Sequence, residues 1–330
     1  MIEKYYSGVI EQIYNRIGKE TRNIVMANYS NDFSIENLEV IRRYQSNEDN
    51  VFFAYSEFSY NTLIGAYEPF LDIICNMHRR FIGGSFDDFQ KECGVYYLHR
   101  QVLNSYYETG ECFREETVLL NEVAYERRRM TMAIADMLKR LSEVRPLMIV
   151  INRFQMASKS SIETIKYLID NPCASIGIVL GVNALVKGTD STVEVWDRIV
   201  ESLEDRSAIY YIGSAGSLKN NVKTTNDDEL YITMNFEQSI QEASNIMEFL
   251  DFEQAKRGCR IIEHKLKFED AWIDEKSLRR FYMVYARTSV LLGEMSKAIE
   301  LTNEYKALIP KNDSEHYLSL YYFMKGTCYM

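Results

Sequence analysis

Phosphate chemistry, if the chain does any, belongs just after its first apolar run. Ile24 to Ala27 is such a run, and an amphipathic stretch follows from Ile35 to Tyr44. A strand, a turn and a helix in that order can hold a nucleotide when the turn is rich in glycine. Glycine lets backbone N–H groups converge on phosphate oxygens, a lysine adds a point charge, and a Ser or Thr holds magnesium. Residues 27–36 read Ala-Asn-Tyr-Ser-Asn-Asp-Phe-Ser-Ile-Glu, with no glycine and no lysine. Asp32 and Glu36 place negative charge where phosphate would lie.

Other reactive groups are scattered. Gly18-Lys19-Glu20-Thr21 has the composition of a phosphate loop but lies at the end of a helical stretch, before a strand rather than after one. Residues 213–221, GSAGSLKNN, follow the apolar run 208–212 and could form an anion nest around Lys219, but no helical pattern follows. A plain loop is the preferred reading there. His78, His99, His264 and His316 belong to no nucleophile motif and read as surface or interface residues. Asp87-Asp88 and Asp227-Asp228 read as solvated loop pairs. The six cysteines include no pair at CxxC spacing, so no metal site is expected.

The elements that would position these groups alternate. Residues 3–19 have helical apolar spacing, and 24–27 and 50–58 read as strands. Residues 67–82 form a helix with a proline near its first turn, and 83–120 form short helices. A long amphipathic helix over 121–143 leads into the apolar run Leu147–Ile151, which suits a central parallel strand. Residues 158–170 begin with a serine cap, and 174–183, 208–213 and 229–236 read as further strands. This predicts an α/β domain over 1–235, a parallel sheet with helices on both faces. From 236 to 330 the pattern is all helical. Ala255 and Ala298 occupy equivalent close-approach positions 43 residues apart, longer than the 34 of a strict tetratricopeptide unit. The last stretch, HYLSLYYFMKGTCYM, reads as the first helix of another repeat without a polar cap, so the chain is expected to be the front part of a longer protein.

Composition narrows the function classes. The chain is 46% hydrophobic and 26% charged, an ordinary globular mixture. A net charge of −10 argues against direct nucleic-acid binding by phosphate neutralisation. The basic turn Arg127-Arg128-Arg129 reads as a set of ion-pair partners or a solvated face. At helical spacing the 24 tyrosines read as core rather than as a base-stacking platform. No apolar run reaches the roughly 18–20 residues that span a bilayer. Residues 1–20 read as a charged amphipathic stretch rather than a signal peptide, and scattered cysteines fit a reducing compartment, so no membrane association and a cytoplasmic location are expected.

The order and spacing of these features over roughly residues 5–310 resemble the signal-transducing AAA-type (STAND) ATPases, which couple a nucleotide switch to helical repeats. The phosphate loop of that family corresponds to NIVMANYSNDFSIENL, and its second strand to FFAYSEFSYNTLIGAYEPFLDII. Its long helix, arginine-proline and third strand correspond to MLKRLSEVRPLMIVINRFQMASKSSIETIKYL. The last match is the most specific, since INRFQMASKSSIETIKYL aligns without a gap. The resemblance implies an AAA-like sheet followed by tetratricopeptide-like repeats. It also implies that Asn28, Ser30, Asn31, Ser34, Asn152, Arg153 and Asn183 are vestigial pocket positions. The family's acidic pair after the third strand, which holds magnesium and orients water, is here Asn152-Arg153, and its arginine after the fourth strand is Asn183.

Three catalytic devices are thus absent together. The expected function is a non-catalytic regulatory or scaffold module, without cofactor or metal, that meets protein partners through its repeats and binds nucleotide weakly or not at all. In related architectures a C-terminal DNA-binding or cyclase domain provides the output. The alternative is a nucleotide-binding ATPase switch that reaches phosphate with Lys219, Lys159 or Arg153.

Overall fold

In the computed structural model the described residues are 2–29, 38–46, 50–59, 63–112, 122–183, 186–187, 193–206, 208–212, 223–224, 235–268, 273–310 and 314–329. Five strands form the main sheet: β1 (Ile24–Tyr29), β2 (Phe52–Glu57), β3 (Leu147–Asn152), β4 (Ile176–Asn183) and β6 (Ile209–Ile212). Their order is β2-β3-β4-β1-β6 and every pairing is parallel. β5 (Val186–Lys187) and β7 (Lys223–Thr224) pair with each other in a separate two-stranded ladder. β3 and β4 are buried at every position, which is why, up to their terminal asparagines, their sequences are apolar runs rather than alternating ones.

Helices cover both faces, as the alternation of elements predicts. α1 (Ile2–Arg16) and α2 (Glu39–Ser46) lie over Val25, Ala27, Met148, Val150 and Val179. The other face, with Met26, Ile149, Ile151, Ile178 and Leu180, is covered by α3 (Phe70–Met77), α6 (Val123–Val144), α7 (Lys159–Asp170) and α8 (Val193–Glu204). α4 (Phe86–Glu92) and α5 (Tyr97–Thr109) lie in the stretch expected to hold short helices, of which 113–120 fall outside the described residues. The helix expected over 67–82 is α3 plus a π-turn at His78–Ile82, and Pro69 sits at its N-cap. Ser158 caps α7 by accepting the Ser161 amide. The strand expected over 229–236 falls largely outside the described residues.

From α9 (Phe236–Glu248) onward the chain is helical: α10 (Phe252–Phe268), α11 (Glu275–Leu291), α12 (Met295–Ala307) and α13 (Ser314–Thr327). Ala255 and Ala298 are both fully buried, as close helix approach requires. α11 and α12 meet at a turn where Gly293 takes a left-handed φ of 76°, a conformation that glycine adopts without strain. Strands end before α9 but the core does not: Ile240, Ile246, Phe249, Ile262 and Phe281 belong to the same hydrophobic cluster as the sheet. Among the described residues no helix is long and apolar enough to cross a membrane.

Candidate functional site

In a parallel sheet a ligand crevice opens at the carboxyl ends of adjacent strands whose outgoing helices lie on opposite faces. β1 leads to α2 on one face and β4 leads to α8 on the other, so the crevice belongs between β1 and β4. The register sets Tyr29 opposite Asn183 and Asn28 opposite Val182. On the far side of β4, Asn152 ends β3 opposite Glu57 of β2. The structure therefore brings Asn28, Asn152, Arg153 and Asn183 to one edge. Ser30, Asn31 and Ser34 lie outside the described residues, as do Asp32, Glu36 and Lys219.

Strand periodicity turns Tyr29, Asn152, Gly181 and Glu57 to the α1 side. There the Tyr29 hydroxyl donates to Asn152 Oδ1 at 2.7 Å, in a fully buried contact. Tyr6 of α1 completes the plug. A Cβ at Gly181 would collide with the Tyr6 hydroxyl and lie 2.8 Å from Asn152 Oδ1. Glycine is needed at 181 because two polar side chains meet over it. Burial, then the neighbouring Tyr29 and Glu57, push the Tyr6 pKa well above its usual value, so the phenol stays neutral.

Arg153 adopts a left-handed conformation with φ 55°. Its Nη1 lies 3.0 Å from Glu57 Oε1 and donates to the Phe58 carbonyl at 3.4 Å. The Tyr55 hydroxyl donates to the other oxygen of Glu57. Arg153 is thus a cation already paired with the chain's own acid. The backbone amide of Asn183 donates to Gln155 Oε1 at 3.2 Å, and both residues are buried. Asn28 is half-buried.

The same edge carries a second polar group on the opposite face, at the start of α7. Arg127 lies 3.6 Å from Glu163 and 3.5 Å from Glu253, and Lys159 lies 3.7 Å from Glu253. Lys159 is directed to this network, and the ion-pair reading of the basic turn holds for Arg127. Arg129 also pairs with Glu126 at 3.3 Å and lies over the Tyr96 ring.

Several sequence expectations are corrected. His78 and His99 are fully buried, not at the surface. His78 shares a hydrogen bond with the Tyr107 hydroxyl at 3.1 Å among the rings of Phe86 and Phe89, and burial lowers its pKa. His99 Nε2 lies 3.0 Å from Glu126 Oε2. Asp87-Asp88 is not a loop pair. It forms the first turn of α4, capped by Ser85, and Asp87 is held below its usual pKa chiefly by Lys91. Carboxylates there complement the helix dipole. Among the described residues no group of three or more His, Cys, Asp or Glu could hold a metal ion.

Sequence reasoning missed the residues that fill the edge: Tyr6, Tyr29, Glu57 and Gly181. It also missed an acidic cavity of about 400 Å³ between α3, α5 and α9. Glu68, Asp72 and Glu242 line it, and Glu242 is pushed up to about 7 by burial and then by Glu68 and Asp72. No family model matches the chain, and no curated protein matches it.

Proposed function

We propose that this chain is a non-catalytic regulatory or scaffold module. Its α/β half is a nucleotide-type fold, resembling that of the STAND ATPases, kept for architecture rather than hydrolysis. Its helical half offers the surface for a protein partner. One observation carries this reading: Asn152 is hydrogen-bonded to Tyr29, and Arg153 is ion-paired with Glu57. A residue at the end of a central strand orients water or holds magnesium only with an available side chain, and a carboxylate holds the cation far more strongly than a neutral amide does. These are neutral or cationic, and each is held by its own chain.

The continuous core between sheet and repeats supports a scaffold role, because it fixes the helical surface relative to the sheet. Arg153 and Lys159, two of the three cations that a non-standard nucleotide switch would need, face carboxylates instead.

The test is calorimetry and thermal shift with ATP, ADP and GTP, with and without Mg²⁺. A ligand at 100 times its Kd would stabilise the fold by about 2.7 kcal/mol. We expect neither heat nor shift. A clear Mg²⁺-dependent shift would refute the non-binding reading and favour the switch.

A further inference from the structure

The opposite, amino-terminal edge of the sheet holds a cavity of about 190 Å³ that the scaffold reading does not use. Its walls come from the end of α1, the start of β1, the ends of α7 and α8, and the start of β6. Arg16, Arg22 and Arg206 line it together with a single carboxylate, Glu20. In a chain of net charge −10 this is a local reversal of sign.

The fold accounts for two of these cations. Three helices end here, and their carbonyl ends favour positive charge. Arg16 closes α1 and lies 3.7 Å from Glu20. Arg206 follows α8 and donates to the Ile169 carbonyl near the end of α7. Arg22 has neither role. It is exposed beside the cavity, and among the described residues its guanidinium has no hydrogen-bond or ion-pair partner.

A second, independent group points the same way. Asn23 lines the cavity and is 1% exposed. Its Nδ2 donates to the carbonyls of Glu20 at 2.6 Å and Ala174 at 3.2 Å, which fixes the side chain. Its Oδ1 is buried with no hydrogen-bond partner. A buried acceptor left unmatched costs about 1–3 kcal/mol, and a ligand donor would remove that cost. The Tyr210 hydroxyl is already used, donating to Gln12 at 3.2 Å.

We propose that this cavity binds a small phosphorylated polyol of the sugar-phosphate class. The Arg22 guanidinium takes the phosphoryl group, with the remaining N–H groups of Arg16 and Arg206 beside it. A ligand hydroxyl donates to Asn23 Oδ1. Guanidinium forks match phosphate oxygens in pairs. The volume is below the roughly 300–1,000 Å³ of drug-sized ligand sites, which limits the ligand to a small molecule.

The experiment is calorimetry on the full chain at constant ionic strength, with glycerol 3-phosphate, ribose 5-phosphate, glucose 6-phosphate, inorganic phosphate and glucose. At least one phosphorylated polyol should bind at least tenfold more tightly than inorganic phosphate, and glucose should give no heat. Arg22→Ala should weaken that binding at least tenfold, and Arg22→Lys should recover only part of it. Because Arg22 is exposed and unbonded, both variants should melt at the wild-type temperature, so lost binding is not lost folding. No binding by wild type, or binding unchanged in Arg22→Ala, overturns the site. Equal affinity for phosphate and the polyol phosphates overturns the ligand class.

Discussion

The carboxylate of Asp251 accepts a hydrogen bond from the backbone amide of Ser160 at 3.1 Å. This contact joins the turn between α9 and α10 to the amino terminus of α7, so the helical half caps a helix of the α/β half. The surrounding contacts reinforce the joint. The Tyr67 amide donates to Ser160 Oγ at 3.0 Å, and Gln254 Nε2 donates to the Ile64 carbonyl at 3.0 Å. Asp251 is fully buried, and burial raises its pKa.

Asp251→Ala removes the carboxylate that accepts from the Ser160 amide and should lower stability by about 1–2 kcal/mol, the range for a lost helix cap. Asp251→Asn keeps an acceptor oxygen and avoids burying a charge, so it should lose less. Urea unfolding at neutral pH, compared at the midpoint for the three proteins, separates these cases. Equal losses for Ala and Asn would mean that the cap is not what Asp251 contributes.

At the plugged edge, Gly181→Ala should cost about 1–3 kcal/mol, because the new methyl group collides with the Tyr6 hydroxyl and crowds Asn152. In a Tyr6→Phe background the same change should cost clearly less, since the colliding oxygen is gone. A double-mutant cycle measured by thermal and urea unfolding reads the difference. Additive effects would show that Tyr6 and residue 181 do not meet.

Much of this architecture is legible in the sequence, because local periodicity decides it. Leu147–Ile151 and Ile176–Val182 are apolar without a break because both faces are covered, and the start of α7 follows from the Ser158 cap. The strand order is not legible, since pairing β1 with β4 and β6 joins segments far apart in the chain. The same limit hides the site. Tyr6 falls on an ordinary inward stripe with Ile10 and Ile13, and nothing local tells that its hydroxyl meets Asn152 over Gly181. His78 and His99 look like surface polar residues until Tyr107 and Glu126 are brought against them. Glu242 looks like any acid on an amphipathic helix until α9 docks beside α3.

The left-handed backbone at Arg153 gives another expected outcome. A non-glycine residue there is strained by about 1–2 kcal/mol, and the ion pair with Glu57 offsets part of that. Arg153→Ala keeps the strain and loses the pair, whereas Arg153→Gly loses the pair and relieves the strain. The glycine variant should therefore be the more stable of the two by roughly 1 kcal/mol. Chemical denaturation of both variants checks the order. A less stable glycine variant would contradict it.

The acidic cavity predicts a pH dependence with a definite sign. Glu242 faces Glu68 and Asp72 from α3 and its N-terminal turn and Tyr106 from α5, and it has no cationic partner among the described residues. The Gly65 amide donates to Glu68 at 2.8 Å, but burial still raises the Glu68 pKa. Tyr106 donates to Asp72 at 3.1 Å. The folded pKa of Glu242, about 7, lies above the unfolded value of 4.5. Its contribution to stability is therefore fully present below pH 4.5 and is lost as pH rises from there through about 7. Within that window the loss approaches about 1.4 kcal/mol per pH unit. Glu242→Gln cannot ionise and should escape it. Melting temperatures of wild type and Glu242→Gln from pH 5 to pH 8.5 should diverge as pH rises, with the glutamine variant the more stable at the alkaline end. Parallel curves would mean that Glu242 is already charged and solvated at pH 5, and that the cavity between α3 and α9 is open to water.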